Sequence, residues 1–332
     1  MFTLDHADDS IPELCVGYLA RNFMRVMSCS SFGDIPYELL YHCVQRTDLT
    51  IDSEKHLSEA LIVWLAANAD RSKRFGSNYE EHFVILKEIR VSLLPLWFVA
   101  GGKRTCPYFS GLAVQSISRI LSLLKDPSTG YQNVLDFVGD DLRIRLTEFS
   151  EKMNLSGCPQ ITSAVLLFSL LPRNHNTNSS LRIPIDQPLM KLEGFLGFPN
   201  QTSDKSLPTL SYEAVVEVDI SKCTRLNIDA AINCFSKSFP SLRILKAAYC
   251  PNFRLTSLHN LVVKCSSIDE VDLSTDISPI PWTKSLAWSH SPASRKTGYS
   301  LAYVSGFEPH ISVERLQNIS ILTLEGRSDV TG

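Results

Sequence analysis

Between Val215 and Asp276 the sequence states one pattern three times. The copies read Val215, Val218, Ile220 and Cys223, then Leu242, Leu245, Ala247 and Cys250, then Ile268, Val271, Leu273 and Asp276. Cys223 and Cys250 are 27 residues apart, and Cys250 and Asp276 are 26 apart. Self-similarity at a near-fixed interval of this length is the mark of stacked units, each too small to bury its own apolar face.

Within each copy the spacing describes a short strand. Alternate side chains share a face, so Val218 and Ile220 are expected inside while Glu217, Asp219 and Ser221 face out. The residues after each cysteine supply the cover. Ile228, Ala231, Ile232 and Phe235 fall on one helical face, and Leu255, Leu258, Leu261 and Val262 nearly repeat it. Apolar or small residues stand eight and twelve positions after the cysteine in both copies, as Ala231 and Phe235, then Leu258 and Val262. The form L-x-x-L-x-L-x-x-C, with a strand and a helix per unit, is that of a leucine-rich repeat.

Weaker copies flank the centre. Met153, Leu155 and Cys158 read as the end of a strand, with Leu166 and Leu170 at the same offsets from the cysteine, and Ile319, Leu322 and Leu324 restart the strand near the end. The distances to the central copies predict insertions near 172–211 and 279–312, rich in Asn, Ser and Pro. A solenoid closes with a polar cap over its last apolar layer. None is visible before Gly332, so a chain truncated at its C-terminus is expected.

Bulk properties narrow the classes. With 332 residues, 44% hydrophobic and 20% charged, the chain has material for about two globular domains and is not a disordered tail. A formal net charge of -3 gives no general reason to bind nucleic acid or an anionic membrane. The longest apolar runs, 93–100 and 164–171, fall far short of the roughly 20 residues of a membrane span. Asp5, Asp8 and Asp9 stand where a secretory signal would carry positive charge, which predicts a cytoplasmic or nuclear protein. The N-x-[ST] sequons at Asn154, Asn178, Asn200 and Asn318 then carry no glycosylation. The nine cysteines contain no C-x-x-C pair, so reduced structural thiols are expected rather than disulfides or zinc.

Upstream, the apolar period is helical. Leu14, Tyr18, Leu19, Phe23, Val26 and Met27 make an amphipathic helix of 11–28. Pro36 suits the first turn of a helix through Val44, with Leu39, Leu40 and Cys43 as its buried face. Ser53 is the N-cap of a third helix, followed by Glu54 and the stripe Leu57, Ala60, Leu61, Trp64 and Leu65. The polar stretch 70–78 predicts a loop. Phe83, Leu86 and Ile89 begin another helix, and 112–124 makes one more. Leu142, Ile144 and Leu146 then alternate as a strand would.

The run LARNFMRVMSCSSFGDIPYELLYHCVQRTDLTIDSEKHLSEALIVWL resembles the BACK domain that follows BTB/POZ domains. Phe23, Phe32, Ile35, Pro36, Leu39, Asp48, Leu49, Ser53, Glu54, Ala60 and Trp64 stand at the family's recurring positions, and EIRVSLL, 88–94, resembles the segment that follows. With cysteine-containing repeats behind it, the layout is similar to plant BTB/POZ proteins with F-box-like leucine-rich repeats. The resemblance implies an α+β chain: an all-helical BACK-like bundle over 11–125, then an irregular leucine-rich-repeat (α/β) solenoid over 126–332. It also implies a substrate adaptor of a cullin-3 ubiquitin ligase. No BTB domain or accompanying helix pair precedes Ile11 in this sequence. Cullin-3 is therefore expected as a partner only where an upstream BTB domain exists, and a scaffold unrelated to ubiquitin is the other reading.

Signatures of catalysis are missing. Gly101-Gly102-Lys103 lacks the first glycine and the Ser or Thr of a phosphate loop, with Trp97 and Arg104 in those places, and reads as a turn. There is no G-x-S-x-G, H-E-x-x-H or G-x-G-x-x-G. No catalytic, cofactor-binding or metal-ligating residues are assigned, and no cofactor is expected. Ser278-Pro279 and Ser291-Pro292 are loop phosphorylation candidates. The expected site is a protein-binding face. Outward strand positions should align as Glu217, Ile244 and Glu270 in one row and Asp219, Lys246 and Asp272 in the next. Tyr249 and Ile244 would supply the contact centre on a mostly acidic concave surface.

Overall fold

A computed structural model describes residues 10–75, 79–105, 109–125, 140–172, 209–275 and 319–325. Helices come first and a parallel sheet with interleaved helices follows, so the chain mixes helix and sheet behind a helical N-terminus. The predicted insertions, apart from 172 and 209–211 at the ends of the first, the Ser-Pro pairs and Asp276 lie outside the described residues.

The helical part comprises α1 (Ser10–Arg21), α2 (Phe23–Val26), α3 (Tyr37–Gln45), α4 (Glu54–Phe75), α5 (Leu96–Thr105) and α6 (Ser110–Lys125), with a 3-10 helix at Tyr79–Glu88. Its core gathers Phe23, Phe32, Leu40, Cys43, Leu57, Leu61, Trp64, Leu65, Ile85 and Phe109. Ser53 caps α4 as its type predicts: its hydroxyl accepts the His56 amide at 3.3 Å. Trp64 is buried, but its indole N–H is not stranded, because it donates to the Ile35 carbonyl at 2.9 Å.

Five expectations are corrected here. The single helix of 11–28 divides at Asn22 into α1 and α2. The buried side of α1 is Val16, Leu19 and Ala20, while Leu14 and Tyr18 stay 71% and 69% exposed. The stretch 70–78 is helical through Phe75, because Arg and Lys favour helix and polarity alone does not break one. Finally, 100–103 is no turn but part of α5, and the helix of 83–89 takes the tighter 3-10 form.

The second part is one parallel sheet in the order β1-β2-β3-β4-β5, from Lys152–Asn154, Glu217–Asp219, Ile244–Lys246, Glu270–Asp272 and Ile321–Thr323. Helices α7 (Ser163–Leu170), α8 (Ile228–Ser238) and α9 (Leu255–Lys264) follow the first, second and third strands. Val218, Ile220, Leu245, Ala247, Val271 and Leu273 are all buried, as are the residues eight and twelve positions after each cysteine. Alternation at 142–146 buries Leu142 and Ile144, yet this segment pairs with no strand. Among the described residues no helix is long and apolar enough to cross a membrane.

Each unit turns in the same way. The residue before the cysteine is left-handed, with φ of 79° at Gly157, 64° at Lys222 and 60° at Tyr249. That reversal brings the thiol inward, where Cys223 donates to the Leu155 carbonyl at 3.2 Å and Cys250 to Ile220 at 3.3 Å. Backbone bonds between neighbouring units continue past the strands, from Lys222 N to Ala248 O and from Tyr249 N to Ser274 O. Neighbouring units are thus zipped through their turns as well as their strands.

Candidate interaction face

The outward positions of the sheet form two ladders. Lys152, Glu217, Ile244, Glu270 and Ile321 make one; Asn154, Asp219, Lys246, Asp272 and Thr323 make the other. The register of the three central strands is the one expected from the repeat spacing. The first and last strands lengthen both ladders, and Lys152 changes the charge balance.

Glu217 sits between two ammonium groups, with Lys152 Nζ at 2.8 Å and Lys246 Nζ at 2.6 Å. Burial pushes its carboxyl up, but the two cations together outweigh that and hold it below the usual carboxylate range. Both lysines are raised in turn by their bond to Glu217. The row expected to be acidic is therefore partly neutralised at its centre, because cross-strand neighbours in a ladder are close enough to pair.

Asp219 and Asp272 are half-buried and occupied locally. Their Oδ1 atoms accept the amides of Ser221 and Ser274, each at 2.9 Å. These are Asx turns that close the strand ends. Asn154 does the same for Ser156 at 2.9 Å. At the corresponding place in the third unit stands Lys246, and there the Ala248 amide goes to the Ser221 hydroxyl at 3.2 Å. Tyr249 stands beyond the strand in the turn, 36% exposed, with Lys222 Nζ 4.9 Å from its ring centre. Ile244 is partly buried within the sheet, and among the described residues Glu270 forms no salt bridge.

A groove of about 1000 Å³ opens beside β1, lined by Leu14, Tyr18, Arg21, Phe149, Glu151 and Lys152 among others. Arg21 spans it, pairing with Asp48 at 3.0 Å while its guanidinium lies 5.1 Å from the Phe149 ring centre. Lys152 belongs to both groove and sheet, so the two surfaces are continuous. No periodicity could have found this groove, since its walls come from segments some 130 residues apart; the legible sign was an α1 with more apolar residues than one buried stripe needs.

The junction itself is closely bonded. Glu54 at the start of α4 meets Arg145 at 2.8 Å, their side chains only 3% and 12% exposed, and its other oxygen accepts the Arg90 amide at 3.1 Å. The Asn154 amide donates to the Asp52 carbonyl at 2.8 Å, so helical-module backbone meets the outer edge of β1. Gln160 Nε2 reaches the Ser92 and Leu94 carbonyls, both at 3.0 Å. No group of three or more His, Cys, Asp or Glu able to hold a metal occurs among the described residues. Burial pushes the thiols of Cys43 and Cys158 up to about 12 and those of Cys234 and Cys265 to about 11, which leaves little thiolate for chemistry.

Comparison with known proteins bears on the helical module most directly. Residues 1–101 match the family BACK, described as BTB And C-terminal Kelch. The chain is 42% identical over 331 residues to the BTB/POZ domain-containing protein FBL11 of Arabidopsis thaliana, an alignment covering 99% of this chain and 33% of that protein. It therefore spans about a third of the length of that relative. Kelch-like protein 8 of Mus musculus is 28% identical over 100 residues, 30% of this chain and 15% of the relative. BTB/POZ domain-containing protein 17 of Homo sapiens is 33% identical over 64 residues, 19% of this chain and 13% of the relative. No solved structure matches significantly. The first hundred residues are thus similar to a BACK domain, and the matches together support a BTB/BACK family relationship for the chain.

Proposed function

We propose that the stacked strand-and-helix units are leucine-rich-repeat coils, and that the chain is the non-catalytic, substrate-recognising part of a cullin-3-type ubiquitin ligase adaptor. The observation that carries this reading is a five-strand parallel face whose first strand bonds to a BACK-like helical module, through the Asn154 amide and the Asp52 carbonyl. Such a face is extended and built from rigid elements, which suits recognition of a protein surface. The division into a BACK-like domain over 11–125 and a repeat domain over 126–332 belongs to the same reading.

The partner docks on the concave side at Glu217, Asp219, Ile244, Lys246, Tyr249, Glu270 and Asp272. Within that set the geometry divides the work. Ile244 and Tyr249 offer apolar contact area, and Glu270 offers a charge without a salt bridge among the described residues. Asp219 and Asp272 shape the strand ends, and the Lys152–Glu217–Lys246 trio is internally balanced. The partner presents a basic group opposite Glu270, and its binding weakens as salt rises. Cullin-3 joins only where a BTB domain stands upstream of Ile11.

Affinity capture from plant extract, followed by reconstitution of ubiquitin transfer with cullin-3 and the chain joined to an upstream BTB domain, tests this. Glu270→Lys together with Ile244→Asp should abolish capture of a protein that the reconstituted ligase modifies. Reversal at Asp229 and Lys264, on the helical side, should leave capture intact. Equal loss from both faces would sink the concave site.

A further inference from the structure

The turns that follow β1, β2 and β3 stack along one edge of the sheet. The Gly157 amide donates to the Ser221 carbonyl at 2.9 Å, Lys222 to Ala248 and Tyr249 to Ser274, the last two at 2.8 Å. Gly157, Lys222 and Tyr249 are all left-handed. Glycine takes that backbone freely, whereas a residue with a Cβ is strained in it, and of the three only the first is glycine. Strain of this kind persists where the side chain serves a purpose outside the turn.

Both strained side chains face solvent and lie against each other, with Lys222 Nζ 4.9 Å from the Tyr249 ring centre. At the first turn the missing side chain makes room for Trp97 of α5, since a Cβ on Gly157 would lie 2.6 Å from its Nε1. Trp97 is 58% exposed. Lys55 of α4 stands over it, Nζ 5.4 Å from the ring centre, and pairs with Glu59 at 3.1 Å. An exposed aromatic ring therefore marks each end of this edge, with Lys222 between them. Among the described residues Lys222 forms no salt bridge. The turns 156–160, 221–225 and 248–252 contain no carboxylate. Those of Asp219 and Asp272, at the strand ends, are turned back on the Ser221 and Ser274 amides.

From this arrangement we propose that the turn edge binds a proline-rich, acidic peptide segment in the polyproline II conformation. Neighbouring strands lie about 4.8 Å apart, so the two steps from the Gly157 turn to the Tyr249 turn cover about 9.6 Å. Three residues of a polyproline II helix advance about 9.3 Å. Prolines three apart thus reach Trp97 and Tyr249 together, the contact that aromatic-lined sites make with such segments. A glutamate or aspartate between them meets Lys222. Trp97 belongs to the helical part and Tyr249 to the third repeat unit, so one peptide bridges both. Binding here needs neither Glu270 nor cullin-3, and the edge and the concave face can fail separately.

Fluorescence anisotropy of the 332-residue chain with a labelled peptide of four Pro-Pro-Glu repeats tests the site. Peptides of Gly-Ser-Glu and Pro-Pro-Lys repeats should each bind at least about tenfold more weakly, having lost the preformed helix or the charge match. Trp97→Ala and Tyr249→Gly should each weaken binding about tenfold or more. Lys222→Gly should weaken it about threefold or more and reduce its salt dependence. Both glycine variants should keep or raise Tm, because glycine relieves the left-handed turn. Should either lower it, photo-crosslinking on the unmodified chain decides: a benzoylphenylalanine in the peptide should label 95–97 or 248–250. Absence of binding, equal binding of either control peptide, unchanged affinity in Trp97→Ala and Tyr249→Gly, or labels confined to other segments would overturn the proposal. Lys264→Glu, on the helical side, should bind as the parent does.

Discussion

Cys158 donates its thiol hydrogen to the carbonyl oxygen of Leu93 at 3.4 Å. The same bond recurs one unit on, from Cys223 to Leu155, and again from Cys250 to Ile220. In the first instance the acceptor belongs to the helical part, which therefore occupies the place a preceding repeat unit would take. Leu93 also joins the core of the repeat region. The helical module acts as the N-terminal cover of the sheet: it shields the apolar layer and satisfies polar groups at the edge.

That junction should be energetically dominated by Glu54. Its carboxylate is almost wholly buried against Arg145 and the Arg90 amide. Glu54→Gln leaves a buried guanidinium uncompensated and should cost about 3 kcal/mol. Urea unfolding followed by tryptophan fluorescence and by circular dichroism checks it. The two signals should separate in the variant and coincide in the parent chain.

Gly157 makes the second test. A Cβ there would lie 2.6 Å from Trp97 Nε1, on a backbone with φ of 79°. Gly157→Ala should destabilise by about 1–3 kcal/mol, since it combines left-handed strain with a collision. Trp97→Ala in the same chain should recover the steric part only. A double-mutant cycle on Tm with no coupling would remove the contact from the account.

The Lys152–Glu217–Lys246 trio predicts a pH dependence. The folded Glu217 carboxyl is held below its ordinary value, so its contribution is complete above that value, about 4.3, and is lost as pH falls through the folded pKa. With both ammonium groups partly in solvent, about 1 kcal/mol is at stake. Urea midpoints of the parent chain and Glu217→Gln should differ at pH 6 and converge toward pH 3.

Thiol reactivity should follow burial. Cys15 and Cys29 are exposed, whereas Cys158, Cys223 and Cys250 are buried and raised or packed against carbonyls. Iodoacetamide at pH 7.5 should label the first two in the native chain and the last three only in denaturant, as read by peptide mass spectrometry. Rapid native labelling of Cys223 would contradict its place in the turn ladder.

Much of this architecture was legible because it is periodic. Alternation placed Val218, Ile220, Leu245, Ala247, Val271 and Leu273 inside, and the interval between cysteines set the cross-strand partners of Glu217 and Asp219, since both follow from local backbone geometry repeated at a constant step. Ser53 as a helix cap is local for the same reason. The tertiary structure alone decided what each outward carboxylate does: Glu217 is neutralised by Lys152, 65 residues before it, whereas Asp219 and Asp272 turn back on their own amides. It also decided that Leu14 and Tyr18 line a groove and that Trp97 lies against the turn at Gly157. Periodicity specifies which side of an element is apolar, but charge pairing and cavities depend on which distant segments meet, and that is settled only when the cores pack.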